Sequence, residues 1–211
     1  MIIKTFAVGM FQTNCHTISC QNTQESIIID PGFDDQYTTQ NIIDFIEKNA
    51  LRIKLIINTH GHPDHTCGNN ILKERFNIPI LIHKNDAHLL GETGKKIAET
   101  FGFKTYSPPA DKLLEDGNLI KFGKATLKVL HTPGHSRGST SLVGENEVFT
   151  GDTLFAGSIG RTDFPESSSL QMQQSLRKLK ALPDRFAVYP GHGPATTIGE
   201  EKRSNPFMQA T

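Results

Sequence analysis

The stretch "NTHGHPDHTCGNN", residues 58–70, sets His60, His62, Asp64 and His65 within six consecutive positions. His60 and His62 alternate on extended backbone, so both imidazoles can face one side. Pro63 turns the chain and lets Asp64 and His65 aim at a nearby point. Imidazole and carboxylate suit zinc or non-haem iron, and no thiolate is needed. Burying four such groups with nothing to bind them would leave unpaired polar atoms at considerable cost. The preceding run, "RIKLIINTH" (52–60), has the apolar character of a buried strand and delivers His60 at its C-terminal end.

Three later segments repeat that placement. "TPGHSRGS" puts His135 in a glycine-flanked turn after a strand, "VFTGDTLF" ends a strand with Asp152, and "VYPGHGP" ends one with His192. Glycine at such points lets backbone curl closely around a ligand. His16, His83, His88 and His131 fall outside the pattern and read as satisfied core or surface residues.

The rest of the chain predicts alternating strands and helices. Strands are expected over "IIKTFAV", "NCHTISC" and "SIIIDPG", then a helix over "DDQYTTQNIIDFIEKNA" with Ile42, Ile43, Phe45 and Ile46 on one face. A helix opened by Asp64 should run through "NNILKERF", followed by the strand "IPILIH" and a polar stretch to about Asp111. Hairpins divided at Gly123 and at "GEN" come next. A helix over "SSLQMQQSLRKLKALP" carries a stripe of Leu170, Gln173, Gln174, Leu176 and Leu179. A last strand ends in His192, and "TTIGEEKRSN" forms a short final helix. Two such halves packed sheet against sheet make one α+β domain over 1–211, a four-layer αββα sandwich of two mixed sheets with helices outside.

Lys plus Arg equals Asp plus Glu at 22 each among 211 residues, which gives no electrostatic grip on nucleic acid or an anionic membrane. No run reaches the roughly 18 apolar residues of a membrane-spanning helix. The three cysteines, Cys15, Cys20 and Cys67, form no C-x-x-C pair and no disulfide framework, which points to a cytoplasmic protein with structural thiols. The expected partner is a small molecule; the oligomeric state is not legible.

H-x-H-x-D-H at 60–65, then His135, Asp152 and His192 in order, resembles the metallo-β-lactamase superfamily over the whole chain. That resemblance implies the αββα fold and a dinuclear metal site, most simply with two zinc ions, or with iron or a zinc and iron mixture. It implies that His60, His62 and His135 hold one ion, that Asp64, His65 and His192 hold the other, and that Asp152 bridges them. Asp30, in "IIIDPG", matches the family's early aspartate, which orients a ligand without coordinating. Paired ions about 3.5–4 Å apart can share a hydroxide whose formation is brought near pH 7, and this bridging hydroxide is the implied nucleophile. Asp64 would also accept its proton.

Within the superfamily, "GDTLFAGSIGRTDFPESS" is similar to the short bacterial glyoxalase II-like proteins, the hydroxyacylglutathione hydrolase-like thioesterases, which lack the helical C-terminal glutathione-binding domain. The implied reaction is hydrolysis of a 2-hydroxyacyl thioester such as S-D-lactoylglutathione. The lactamases themselves fit less well, because one branch has cysteine in the place of Asp152 and the others lack the bridging aspartate. "GRTDF" also occurs in persulfide dioxygenases with one non-haem iron, which is the alternative. Arg161, Phe164 and Arg137 are candidate substrate contacts, Arg161 as a bidentate partner for a carboxylate.

Overall fold

Alternation along the central strands sorts their side chains into two different cores. Ile27, Ile29, Ile57 and Leu81 enter one apolar cluster, while their neighbours Ile28, Ile56, Ile80 and Ile82 enter another. A strand that is apolar on both faces is one covered on both faces. The computed structural model, which describes residues 1–211, shows what covers them.

The first sheet is built in chain order from β1 (Ile2–Val8), β2 (Thr13–Ser19), β3 (Glu25–Ile29), β4 (Arg52–Asn58), β5 (Ile80–His83) and β6 (Lys112–Leu114). Its first three strands are antiparallel, and β3 to β6 run parallel. The crossovers carry α1 (Gln36–Lys48), α2 (Pro63–Thr66), α3 (Asn69–Phe76) and α4 (Gly91–Phe101). The second sheet follows as β7 (Leu119–Phe122), β8 (Ala125–His131), β9 (Thr140–Val143), β10 (Glu147–Gly151), β11 (Ala187–Pro190) and β12 (Thr196–Thr197). Only β10 and β11 are parallel there, joined through α5 (Ser169–Lys180); α6 (Ile198–Ser204) and α7 (Pro206–Gln209) close the chain.

Ile120, Phe122, Leu127, Val129, Leu142 and Phe149 of the second sheet meet Ile27, Ile29 and Ile57 between the sheets. On the outside, Ile42, Ile46 and Leu72 cover the first sheet, and Met172, Leu176, Leu179, Ile198 and Met208 cover the second. The layers are therefore α, β, β, α, as the sequence predicts.

Several local expectations are corrected. Asp64 does not open one long helix. Pro63 begins α2, and the chain breaks at Gly68, whose N–H donates to Pro31 O at 2.7 Å and where a Cβ would sit 2.5 Å from that oxygen. The polar stretch before Asp111 contains α4, which lacks a stripe of large apolar residues because it packs through Gly91, Gly94 and Ala98. It also leads into β6. On α5 the buried side chains are Met172, Ser175, Leu176 and Leu179, whereas Leu170 is 66% exposed and Gln173 and Gln174 are exposed. The strand ending near His192 is followed by the two-residue β12, and α6 by α7. All three cysteines are free and buried. No helix is long and apolar enough to cross a membrane.

Phe149 is fully buried between the sheets, stacked on Tyr189 at 5.2 Å and meeting the edge of His16 at 5.2 Å. Phe149→Ala should cost about 3–5 kcal/mol of stability. Urea unfolding of the two proteins measures this, and a loss under 1 kcal/mol would show that the sheets reclose over the gap.

Candidate metal centre

The seven sequence-predicted donors come together at one edge of the sandwich. His60 follows the end of β4, His62 stands just before α2, and Asp64 and His65 lie within α2. His135 comes from the loop between β8 and β9, Asp152 directly follows β10, and His192 follows β11. Backbone clasps hold the two sheets together at this edge. Thr140 N donates to Thr59 O at 2.9 Å, and Asn14 N donates to Gly191 O at 2.7 Å.

The donor atoms fall into three overlapping groups, each within 4.8 Å: His60, His62 and His135; His60, His65 and Asp152; Asp64, His65 and His192. His62 Nδ1 lies 2.9 Å from His135 Nε2, and His65 Nε2 lies 3.2 Å from His192 Nε2. Asp152 reaches both sides, with Oδ1 3.4 Å from His65 Nε2 and Oδ2 3.5 Å from each of His135 and His192 Nε2. Asp64 Oδ2 is 3.4 Å from His65 Nε2 and 3.3 Å from His192 Nε2.

The opposite nitrogens are anchored. His65 Nδ1 meets Asp30 Oδ2 at 3.0 Å, His135 Nδ1 meets Arg161 O at 2.9 Å, and His192 Nδ1 meets Phe11 O at 3.0 Å. An Nδ1–H given to such an acceptor leaves Nε2 with its lone pair facing the cluster, the tautomer a metal requires. Asp30, whose φ of 52° is left-handed, also accepts from Thr59 N at 2.7 Å and Thr59 Oγ1 at 2.6 Å. It thereby ties the turn before His60 to His65.

Burial and mutual repulsion set the electrostatics. Burial, reinforced by the charges of His65, His62 and His135, holds His60 well below the usual histidine range. Burial and the neighbouring His135 bring His62 down to about 3. Burial would also lower His65, but Asp64, Asp152 and Asp30 together push it up to about 10. For Asp64, burial acts upward and is outweighed by His65, His192 and His62, so its carboxyl stays well below the usual range.

Two buried atoms decide whether a cation fits: His60 Nε2 and Asp152 Oδ1 have no hydrogen-bond partner. Unpaired lone pairs in a dry pocket are costly, and nitrogen and oxygen donors at these separations are those that zinc or iron would use. The residues fit a metal.

The substrate candidates are placed unequally. The Phe164 ring lies 5.4 Å from that of His62 and 5.9 Å from that of His135, forming a wall of the site. Arg161 lies over that ring at 4.1 Å, but its fork is already taken by Asp163, with Nε to Oδ1 at 2.7 Å and Nη2 to Oδ2 at 2.8 Å. A free bidentate arginine is thus not what the structure presents, because a carboxylate two residues on satisfies it. Arg137 lines a separate depression of about 300 Å³ with Asn85, His131 and Glu166, and none of the seven donors lines that depression. His131 stacks on His83 at 4.0 Å there, outside the cluster. Sequence reading missed Asn14, whose Nδ2 donates to Pro190 O at 2.9 Å and Gly193 O at 2.8 Å and holds the His192 turn. It also missed Phe11 and Phe155, whose signal was proximity in space alone; the Phe155 ring lies 6.0 Å from that of His192.

Comparison with known proteins agrees with this geometry. The family described as "Metallo-beta-lactamase superfamily" matches residues 8–192, and the chain belongs to it. A Haemophilus influenzae protein named hydroxyacylglutathione hydrolase GloC is 36% identical, over 100% of this chain and 99% of its own. Among solved structures, the BLEG-1 B3 metallo-β-lactamase superposes with a TM-score of 0.89 at 34% identity, covering 98% of this chain and 99% of its own. TTHA1623 in a di-iron-bound form gives 0.84 at 34%, covering 98% and 100%. ETHE1 from Myxococcus xanthus gives 0.81 at 28%, covering 98% and 84%.

The raised His65 has a pH consequence. Its folded-state value lies above the ordinary 6.5, so in the metal-free chain its ion pairing contributes fully below that value and is lost as pH rises through about 10. A ligand histidine must give up that proton, so uptake of Zn²⁺ by metal-free protein should release at least one proton per chain. Affinity should then rise about tenfold per pH unit between about pH 7 and 9. Calorimetry in buffers of different ionisation enthalpy reads the release, and a pH-independent affinity would contradict it.

Proposed function

We propose that this protein is a two-metal thioester hydrolase of the glyoxalase II type, acting on 2-hydroxyacyl thioesters such as S-D-lactoylglutathione. The observation that carries the reading is Asp152, which faces donors of both histidine groups at 3.4–3.5 Å. A carboxylate between two clusters offsets the repulsion of two dications. His60, His62 and His135 would hold one ion and Asp64, His65 and His192 the other, with zinc first and iron or a mixture as the alternatives. Full-length similarity to the GloC-named protein supports the substrate class, and similarity to the di-iron structure supports a pair of ions. When bound, such ions lower the pKa of water to about 7 and polarise a carbonyl.

The chain's own residues shape the rest. Thr13 Oγ1 donates to Asp64 Oδ2 at 3.3 Å and fixes the carboxylate that this reading casts as acceptor of the attacking water's proton. As water's oxygen joins the acyl carbon, the carbon–sulfur bond breaks and the thiol leaves with a proton. Phe164 on one side and Phe155 on the other exclude water and offer apolar contact to the acyl group.

A second reading, a persulfide dioxygenase with one iron, is supported by "GRTDF" at 160–164 and by the similarity to ETHE1. Protein purified without chelators should carry close to two ions per chain by elemental analysis. It should hydrolyse S-D-lactoylglutathione, take up no oxygen with glutathione persulfide and leave a chromogenic cephalosporin intact. Asp152→Ala should lower both metal content and turnover, the latter by about 100-fold or more, since even residues that only support ligands cost 10–100-fold. Rapid oxygen uptake without hydrolysis would establish the second reading, and cephalosporin turnover alone would establish a lactamase.

A further inference from the structure

Asp86 is fully buried, follows β5 and takes part in none of the ion pairs. Its Oδ2 accepts from Gly61 N at 3.0 Å and from Ser136 Oγ at 2.6 Å, and its Oδ1 accepts from Gly138 N at 2.5 Å. Gly61 lies between His60 and His62, and Ser136 directly follows His135. One carboxylate therefore joins the two loops that supply the three-histidine group. The approach is tight enough to dictate residue type, because a Cβ at Gly138 would fall 2.6 Å from Asp86 Cγ. Its own turn is fixed, with Asp86 N donating to His83 O at 3.0 Å and Leu89 N donating to Asp86 O at 2.9 Å.

We propose that Asp86 is a positioning residue for the His60, His62 and His135 group, setting the distance between the two loops that supply it. This rests on the reading that the group holds an ion. A mere fold anchor would weaken both ion sites alike; a positioning residue weakens one.

The test is a titration of metal-free protein with Co²⁺ against a competing chelator, with folding checked by circular dichroism. His62→Ala identifies the binding step that belongs to the three-histidine group, and His192→Ala the other step. Asp86→Asn should weaken the first step about 10–100-fold and leave the second within about threefold. In the metal-free chain, the Gly61 and Gly138 amides should exchange faster in Asp86→Asn, while the Gly191 amide, bonded to Gly151 O, should not. Equal weakening of both steps, or of neither, overturns the proposal. If Asp86→Asn does not fold, Ser136→Ala is decisive. It keeps the charge, removes one donor and should weaken the first step about fivefold; an unchanged step overturns the proposal. Wild type that binds a single ion defeats the two-metal reading but not this one, provided His62→Ala removes that ion and Asp86→Asn weakens it. If His62→Ala leaves all binding intact, both fall.

Discussion

Imidazole nitrogens held 2.9 Å and 3.2 Å apart, with carboxylates pressed against them, are the constraint on which the surrounding structure depends. Lone pairs converging in a dry pocket repel, so each ring must be gripped from behind. The grips are of different kinds: a carboxylate behind His65, backbone carbonyls behind His135 and His192, and a hydroxyl, Thr59 Oγ1, 3.2 Å from His60 Nδ1. Asn58 extends the support, donating to His65 O at 3.0 Å while accepting from Asn69 at 2.7 Å. These buried polar groups satisfy one another and leave His60 Nε2 and Asp152 Oδ1 without a partner inside the cluster, an arrangement suited to a cation.

The donors themselves were legible because all but His65 sit beside glycine or proline, and His65 completes the dense cluster at 60–65, a local pattern. Their grouping in space was legible only through family resemblance. What escaped was non-local or small. The α4 helix packs through Gly91, Gly94 and Ala98, so no periodic stripe of large residues announces it. Leu170 was expected inside, but the buried stripe of α5 runs through Met172 and Ser175, a one-turn phase that period alone does not fix. Asp86 and Asn14 looked like ordinary polar residues, because their partners lie dozens to more than 170 positions away. Arg161 has the chemistry of a partner for a substrate carboxylate, yet a carboxylate only two residues on, Asp163, already occupies its fork.

Membership of the superfamily accounts for the scaffold, and phenylalanine side chains flank the donors that it brings together. Phe11 comes from the turn between β1 and β2, and Phe155 and Phe164 from the long connection between β10 and α5, with the Phe11 ring resting 5.9 Å from that of Phe103 and the Phe164 ring beneath Arg161. None of these side chains is itself a donor. Proteins built on one scaffold can act on unlike molecules, as the varied names of this chain's relatives suggest.

The seam between the sheets has a consequence of a kinetic kind. The first sheet and its crossovers contribute His60, His62, Asp64 and His65, and the second contributes His135, Asp152 and His192. Neither half owns all the donors of either group, and the halves are otherwise joined by an apolar interface and a few backbone clasps. An ion gripped from both sides would be a rivet across that interface, and the sheets could not part until it was released. The lifetime of the folded chain would then be governed by the escape rate of the ion as much as by the strength of the core, so that a protein of ordinary equilibrium stability would shed its fold very slowly while loaded and far faster once stripped.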